Sequence, residues 1–324
     1  MNAVEVFSVP MTTRFRGITV REGMLLRGDA GWGEFSPFLE YDPAVAAPWL
    51  SAAREAADVG WPAPLRSSIP VNVTVPAVDA GTAARIVRDG TGCRTAKVKV
   101  AEPGQSLADE QSRLEAVREA LGTDGRIRVD ANGAWSVDEA VRRIPVLDRA
   151  AGGLEYVEQP TADVEGLAAV RRRTDVRIAA DESIRRAADP YRVRDLDAAD
   201  IAVLKVQPLG GVRACLRIAE DIGLPVVVSS ALETSVGIAA GVALAAALPE
   251  LPFACGLATV QLLADDVAVA PLRPSDGELP VVRPEVSTDA LERLRAPADR
   301  KEHWLRRLAE VESRVRAVGQ DHRT

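Results

Sequence analysis

The sequence predicts an α/β fold: a parallel βα barrel flanked by an α+β domain built from both ends of the chain. Three observations carry that reading. From residue 71 onward, short β-rich segments alternate with amphipathic or alanine-rich helical stretches at roughly one strand per 20–30 residues, the pattern of parallel βα units. Eight such segments occur, a count that suits a closed TIM-type barrel better than an open doubly wound sheet. No Gly-x-Gly-x-x-Gly follows the first of them, which argues against a dinucleotide fold.

Residues 1–45 read as antiparallel strands at 4–7, 17–21 and 24–27, separated by glycine and charged turns. Gly31-Trp32-Gly33-Glu34-Phe35-Ser36-Pro37 reads as a turn, and the alanine-rich run 43–59 as a helix ending near Gly60 and Pro62. The strands of the repeat are 71–75, 96–100, 126–130, 155–158, 177–181, 201–205, 225–229 and 253–257, with helices such as 107–121 and 137–147 between them. The most apolar run, 236–248, is a buried helix too short to span a bilayer. After about residue 275 the repeat stops, and 289–318 reads as a charged helix returning to pack on the N-terminal sheet. The α+β domain is therefore expected from 1–80 plus 275–324, and the barrel from 81–274.

Composition narrows the function. With 324 residues and 47% apolar content the chain can bury a sizeable core. A formal charge of −7 points away from nucleic acid and anionic membranes. Cys93, Cys215 and Cys255 are widely spaced, so neither a zinc site nor a disulfide framework follows and a reducing cytoplasm fits. No signal peptide is expected, the oligomeric state is open, and a monomer is compatible with the sequence. The two histidines, His303 and His322, both lie in the C-terminal tail, which leaves no candidate for a histidine base in the barrel.

Lysine usage singles out Thr95-Ala96-Lys97-Val98-Lys99-Val100. Of 40 basic residues only Lys97, Lys99, Lys205 and Lys301 are lysines. An ammonium can give up its proton when its surroundings demand it and a guanidinium effectively cannot, so lysines kept against such a bias are candidate bases. The strand ends supply the complement. The third strand closes on Asp130, the fourth on Glu158 and the fifth on Asp181, and the sixth carries Lys205. The intervals of 28, 23 and 24 residues are each about one βα unit. The four groups should therefore sit side by side on the C-terminal rim, where barrel active sites lie. Three converging carboxylates repel one another unless a cation lies between them, and an all-oxygen set suits Mg²⁺, with Mn²⁺ as a substitute. Arg128 precedes Asp130 by two residues and by strand alternation should point into the same rim.

Lys97-Val98-Lys99, Val129-Asp130-Ala131-Asn132, Val157-Glu158-Gln159-Pro160, Ala180-Asp181-Glu182-Ser183 and Leu204-Lys205 resemble, in order and spacing, the enolase superfamily and its muconate-lactonizing subgroup. The resemblance implies a capping domain over a (β/α)7β barrel. It also implies Mg²⁺ held by Asp130, Glu158 and Asp181, with Lys99 and Lys205 as catalytic groups on opposite sides of the substrate; lysine bases with Mg²⁺ are a known theme of that superfamily. Its lysine-pair members include muconate cycloisomerases, dipeptide epimerases, N-acylamino acid racemases and o-succinylbenzoate synthases. Phe15-Arg16-Gly17 followed by Val20-Arg21-Glu22, the Gly31–Pro37 segment, Arg128, Ser229-Ser230-Ala231-Leu232-Glu233 and Gly256-Leu257-Ala258-Thr259 are similar to the last group. That implies a small dicarboxylate substrate contacted by Lys97, Arg128, Ser229, Ser230 and Gly256. It further implies dehydration of 2-succinyl-6-hydroxy-2,4-cyclohexadiene-1-carboxylate to o-succinylbenzoate, a step of menaquinone synthesis. Racemisation of an N-acylamino acid at the same site is the alternative. A non-catalytic barrel would require the loss of a key group, and none is lost.

Overall fold

A computed structural model describes residues 3–186 and 189–321 of the chain; His322 falls outside them. The chain opens with an antiparallel meander of β1 (Ala3–Phe15), β2 (Ile18–Gly28) and β3 (Gly31–Phe35). The turn expected at residues 31–37 is thus mostly a strand, paired with β2 from Met24↔Phe35 to Gly28↔Gly31. Its glycines answer to packing as well as to turning. A Cβ on Gly33 would sit 1.9 Å from the Ala53 carbonyl oxygen, on the helix Pro43–Arg54 that crosses the sheet. That helix starts on Asp42, whose carboxylate accepts from the Ala44 and Val45 amides, and runs on through a wider turn at Glu55–Val59 to Gly60.

After β4 (Ser68–Pro70) come seven parallel strands: β5 (Val73–Val75), β6 (Thr95–Lys99), β7 (Arg126–Asp130), β8 (Leu154–Glu158), β9 (Ile178–Ala180), β10 (Ile201–Leu204) and β11 (Val226–Val228). Their order in the sheet is their order in the chain. The eighth strand, expected at 253–257, is reduced to two single bridges, Cys255 to Val71 and Gly256 to Ser229. Pro252 has no amide to offer a longer ladder. Backbone bonds still close the ring. Cys255 N donates to Pro70 O at 2.7 Å and Asn72 N to Cys255 O at 3.0 Å. On the other side Gly256 N donates to Val228 O at 2.8 Å and Ser230 N to Gly256 O at 3.1 Å. Only a 3₁₀ turn, Ala258–Leu262, follows, so the barrel is of the (β/α)7β type. Finally β12 (Glu278–Pro280) returns antiparallel to β4.

Strand alternation sorts the barrel into two environments. Val98, Val129, Val157, Ala180, Leu204 and Val228 face outward into the main core beneath the helices. Tyr156, Ala179, Val203, Val227 and Phe253 fill the interior. The next inward positions toward the C-terminal ends carry the polar groups. The last helix, Ala298–Asp321, packs along the helix Pro43–Arg54, where Arg54 bonds to Glu312 at 2.6 Å, and reaches the meander through Trp304, edge-on to Phe35 at 6.1 Å. Barrel and cap are also joined through Glu55, which accepts from the Val212 amide at 2.5 Å at the start of the helix Val212–Ile222. Among the described residues no helix is long and apolar enough to cross a membrane.

Candidate active site

The parallel register puts Lys97 beside Arg128, Lys99 beside Asp130, and Asp130 beside Glu158. Five successive strands thereby deliver the polar groups to one end of the barrel. Lys97 Nζ lies 3.0 and 3.1 Å from the two Glu158 oxygens and 3.4 Å from Asp130 Oδ2. Lys99 Nζ donates to Asp130 Oδ2 at 2.5 Å and to Asn132 Oδ1 at 2.7 Å. Across the site Lys205 Nζ donates to Asp181 Oδ2 at 2.6 Å, and Arg185 Nε to the other Asp181 oxygen at 2.8 Å. The three acids are buried, and Glu158 and Asp181 are fully shut off from solvent.

Burial and charge then set the protonation states. Burial pushes Glu158 up, Asp130 adds to that, and Lys97 only partly offsets them, leaving its pKa at about 7. Burial also acts to raise Asp130 and Asp181, but the lysines beside Asp130, and Arg185 with Lys205 beside Asp181, outweigh it and hold both well below the carboxylate range. Lys97 is drawn down by burial and more strongly up by Glu158 and Asp130, so it stays charged. Lys205 is lowered, chiefly by burial, against the pull of Asp181.

These groups form one side of a cavity of about 590 Å³ whose other side belongs to the cap. Lys97, Lys99, Asp130, Lys205, Ser229, Ser230 and Gly256 line it; Glu158 and Asp181 lie behind that wall. Ser230 and Thr259 share a hydroxyl hydrogen bond of 2.8 Å. A Cβ on Gly256 would come within 2.6 Å of Ser229 Oγ, so glycine keeps the serine in place. Neither serine caps a helix; the helix Ser235–Ala247 begins on Thr234.

Arg128 requires a correction. It lies outside the cavity lining and is fully buried one inward layer lower, bonded to Glu155 at 2.5 Å, the Tyr156 hydroxyl at 2.8 Å and the Ala254 carbonyl at 2.9 Å. Alternation fixes the side of a strand on which a residue points, not its depth.

Several groups in or just behind the lining had no site role assigned from the sequence. Asn132, at φ 47°, bridges Lys99 and Glu182 just past the end of β7. Gln159, at φ 40°, accepts from the amides of Asp181 and Ser183 and so fixes the next strand end. From the cap and the loop after β9, Arg16 and Arg186 each donate to the Tyr41 hydroxyl at 2.9 Å. With Arg14 and Arg185 they place four arginines in the lining against Glu102 and Glu182, Arg16 being paired with Glu40 and Arg185 with Asp181 and Glu182. The signal for Asn132 was its place in the Val129–Asn132 motif and for Arg16 the Phe15-Arg16-Gly17 resemblance; Arg186 and Tyr41 had none.

The donor set fits a hard divalent cation, being three buried carboxylates on consecutive strand ends, one of them, Glu158, kept from ionising freely by burial first and by the neighbouring Asp130 charge second. Among the described residues no three His, Cys, Asp or Glu side chains are disposed to close on an ion as they stand. Their oxygens are turned instead to Lys97, Lys99, Lys205 and Arg185.

A family model described as enolase C-terminal domain-like matches residues 79–285, and one described as enolase N-terminal domain-like matches residues 6–57. The chain belongs to the enolase superfamily and is an enzyme of it. Within that class it is similar to an o-succinylbenzoate synthase of Thermobifida fusca, at 68% identity over 88% of this chain and 89% of the relative. An o-succinylbenzoate synthase of Mycolicibacterium smegmatis is 56% identical over 95% of this chain and 94% of its own length. The solved muconate lactonizing enzyme of Pseudomonas putida shares the fold, with a TM-score of 0.75 at 21% identity, covering 91% of this chain and 98% of that one.

Proposed function

We propose that this chain is an o-succinylbenzoate synthase, dehydrating 2-succinyl-6-hydroxy-2,4-cyclohexadiene-1-carboxylate to o-succinylbenzoate in menaquinone synthesis. The observation that carries the reading is the pair of ammonium groups, Lys99 and Lys205, on opposite flanks of one carboxylate cluster and both lining one cavity. The relatives at 53–68% identity support the particular reaction. The lining's four arginines, which outnumber the glutamates Glu102 and Glu182 beside them, suit a substrate with two carboxylates.

In this reading Lys99 removes the proton from the carbon bearing the ring carboxylate and delivers it to the departing hydroxyl. Water leaves and the ring becomes aromatic. Lys205 remains protonated and sets its charge against the developing enediolate. Lys97 holds Glu158 and Asp130 in place. Ser229, Ser230 and the Gly256 backbone receive the substrate's carboxylates. Asp130, Glu158 and Asp181 would hold Mg²⁺, or Mn²⁺ in its stead, which when bound supplies positive charge to the substrate's carboxylate. The division expected from the sequence, 1–80 plus 275–324 for the cap and 81–274 for the barrel, leaves out the barrel's own first strand, since β5 pairs in parallel with β6; we propose that the barrel begins near residue 71. Three free, buried thiols agree with a cytoplasmic location.

The direct test is turnover of the cyclohexadiene substrate by the purified protein, with Mg²⁺ and after chelation. We expect activity that chelation abolishes and Mg²⁺ or Mn²⁺ restores. Inertness towards that substrate, together with α-proton exchange of both N-succinylphenylglycine enantiomers in D₂O, would replace this reading with racemisation.

A further inference from the structure

The loop between β11 and the helix Ser235–Ala247 carries Ser229 and Ser230 into the cavity, yet its conformation is held from the cap. Leu232 adopts φ 68°, a left-handed backbone that a bulky side chain rarely accepts. Its side chain is buried in the cap's apolar core with Phe35, Phe38 and Trp49. Its carbonyl accepts from Arg21 Nε at 2.8 Å. Arg21 is itself buried and also donates to the Ser36 carbonyl and, at 2.9 Å, to the Ser36 hydroxyl. The Ser36 hydroxyl donates to Glu34 Oε1 at 2.7 Å. Glu34 Oε2 in turn accepts from the Thr234 amide at 3.1 Å, the Thr234 hydroxyl at 2.5 Å and the Gly237 amide at 3.0 Å. One continuous set of bonds therefore runs from β2 and β3 to both ends of Leu232–Gly237.

We propose that Arg21 and Glu34 are positioning residues: they fix the strained loop at Leu232, and through it set Ser229 and Ser230 for the substrate, so that docking of the cap and completion of the binding wall are one event. The inference rests on the reading of this cavity as the active site. It goes further in giving the Gly-Trp-Gly-Glu segment of β3 a role at a distance from the reacting atoms. Because the loop serves to hold substrate while Lys99 and Lys205 stand on other strands, its loss should appear in KM more than in kcat.

The test compares Glu34→Ala, Glu34→Gln and Ser36→Ala with wild type by steady-state kinetics, thermal melting and amide hydrogen exchange over residues 230–237. In Glu34→Ala we expect KM to rise about tenfold or more, kcat to change several-fold less, and exchange in the loop to accelerate. Glutamine keeps a carbonyl for the Thr234 and Gly237 donors and an amide for the Ser36 hydroxyl, so Glu34→Gln should recover most of the loss. Ser36→Ala, which removes only the bridging hydroxyl, should show the same pattern more weakly and covers the case in which Glu34→Ala does not fold. Lowered melting temperature with KM and loop exchange both as in wild type would overturn the proposal. Were wild type itself inert, the functional reading would fail, while loop exchange in the variants would still decide the positioning claim.

Discussion

Lys97 and Lys99 leave the same face of one strand and meet different surroundings. Both line the cavity, but Lys97 is clamped between two acids, whereas Lys99 touches Asp130 and Asn132 and is the more exposed of the two. In the proposed reading that difference gives Lys97 the holding of the cluster, in place of the substrate contact expected from the sequence, and leaves Lys99 the chemistry. Arg128 is the instructive contrast, since every partner it has is structural. Its replacement by methionine leaves Glu155 buried without its close counter-charge, a loss of about 3 kcal/mol or more. Urea denaturation should show that loss, and the double variant Arg128→Met with Glu155→Leu should regain much of it. Unchanged stability with a raised KM would return Arg128 to the substrate. At this scale the acids and lysines were legible because each closes a strand at the repeat interval. Asn132 and Gln159 were not, because positive φ just past a strand end follows from neither alternation nor composition.

The loop after β11 also carries a pH dependence of its own. Glu233 is buried beside Glu34; burial first and that neighbouring charge second raise its pKa from 4.5 to about 7, with Arg21 pulling the other way. Its folded value thus exceeds its unfolded one, and the folded state binds the extra proton between them. The associated stability is present below about pH 4.5 and is lost as pH rises through about 7. Glu233→Gln lacks this loss, so the variant should gain on wild type as pH rises. We expect near-equal stability at pH 5 and an advantage on the order of 1–3 kcal/mol at pH 8 in denaturant titrations. A constant difference across that range would contradict the account. Among the elements, the barrel strands were readable from their spacing. The β3 strand was not, because Gly33 signals a turn in sequence and a close helix approach in space. The eighth strand was over-read, since an apolar run gives no hint that only Cys255 and Gly256 would pair.

The whole molecule is a barrel that supplies the charged groups and a cap that supplies the lid and mouth of the same cavity. Thr13, Phe15, Arg16, Phe38 and Tyr41 reach it from the cap. Apart from the Phe15-Arg16-Gly17 resemblance their contribution was invisible in the chain, because it depends on contacts such as Arg186 to Tyr41, 145 positions apart, which no local pattern encodes. The barrel's chemistry, by contrast, was legible through a repeat that places each group one unit after the last. The central claim is that two lysines facing each other across a carboxylate cluster carry the proton transfer and the charge. Its most direct measurement is single-turnover kinetics of Lys99→Ala and Lys205→Ala on the cyclohexadiene substrate, beside their melting curves. We expect rates at least ~10³-fold below wild type for each, in proteins that melt cooperatively. Near-wild-type rates in either variant would contradict it.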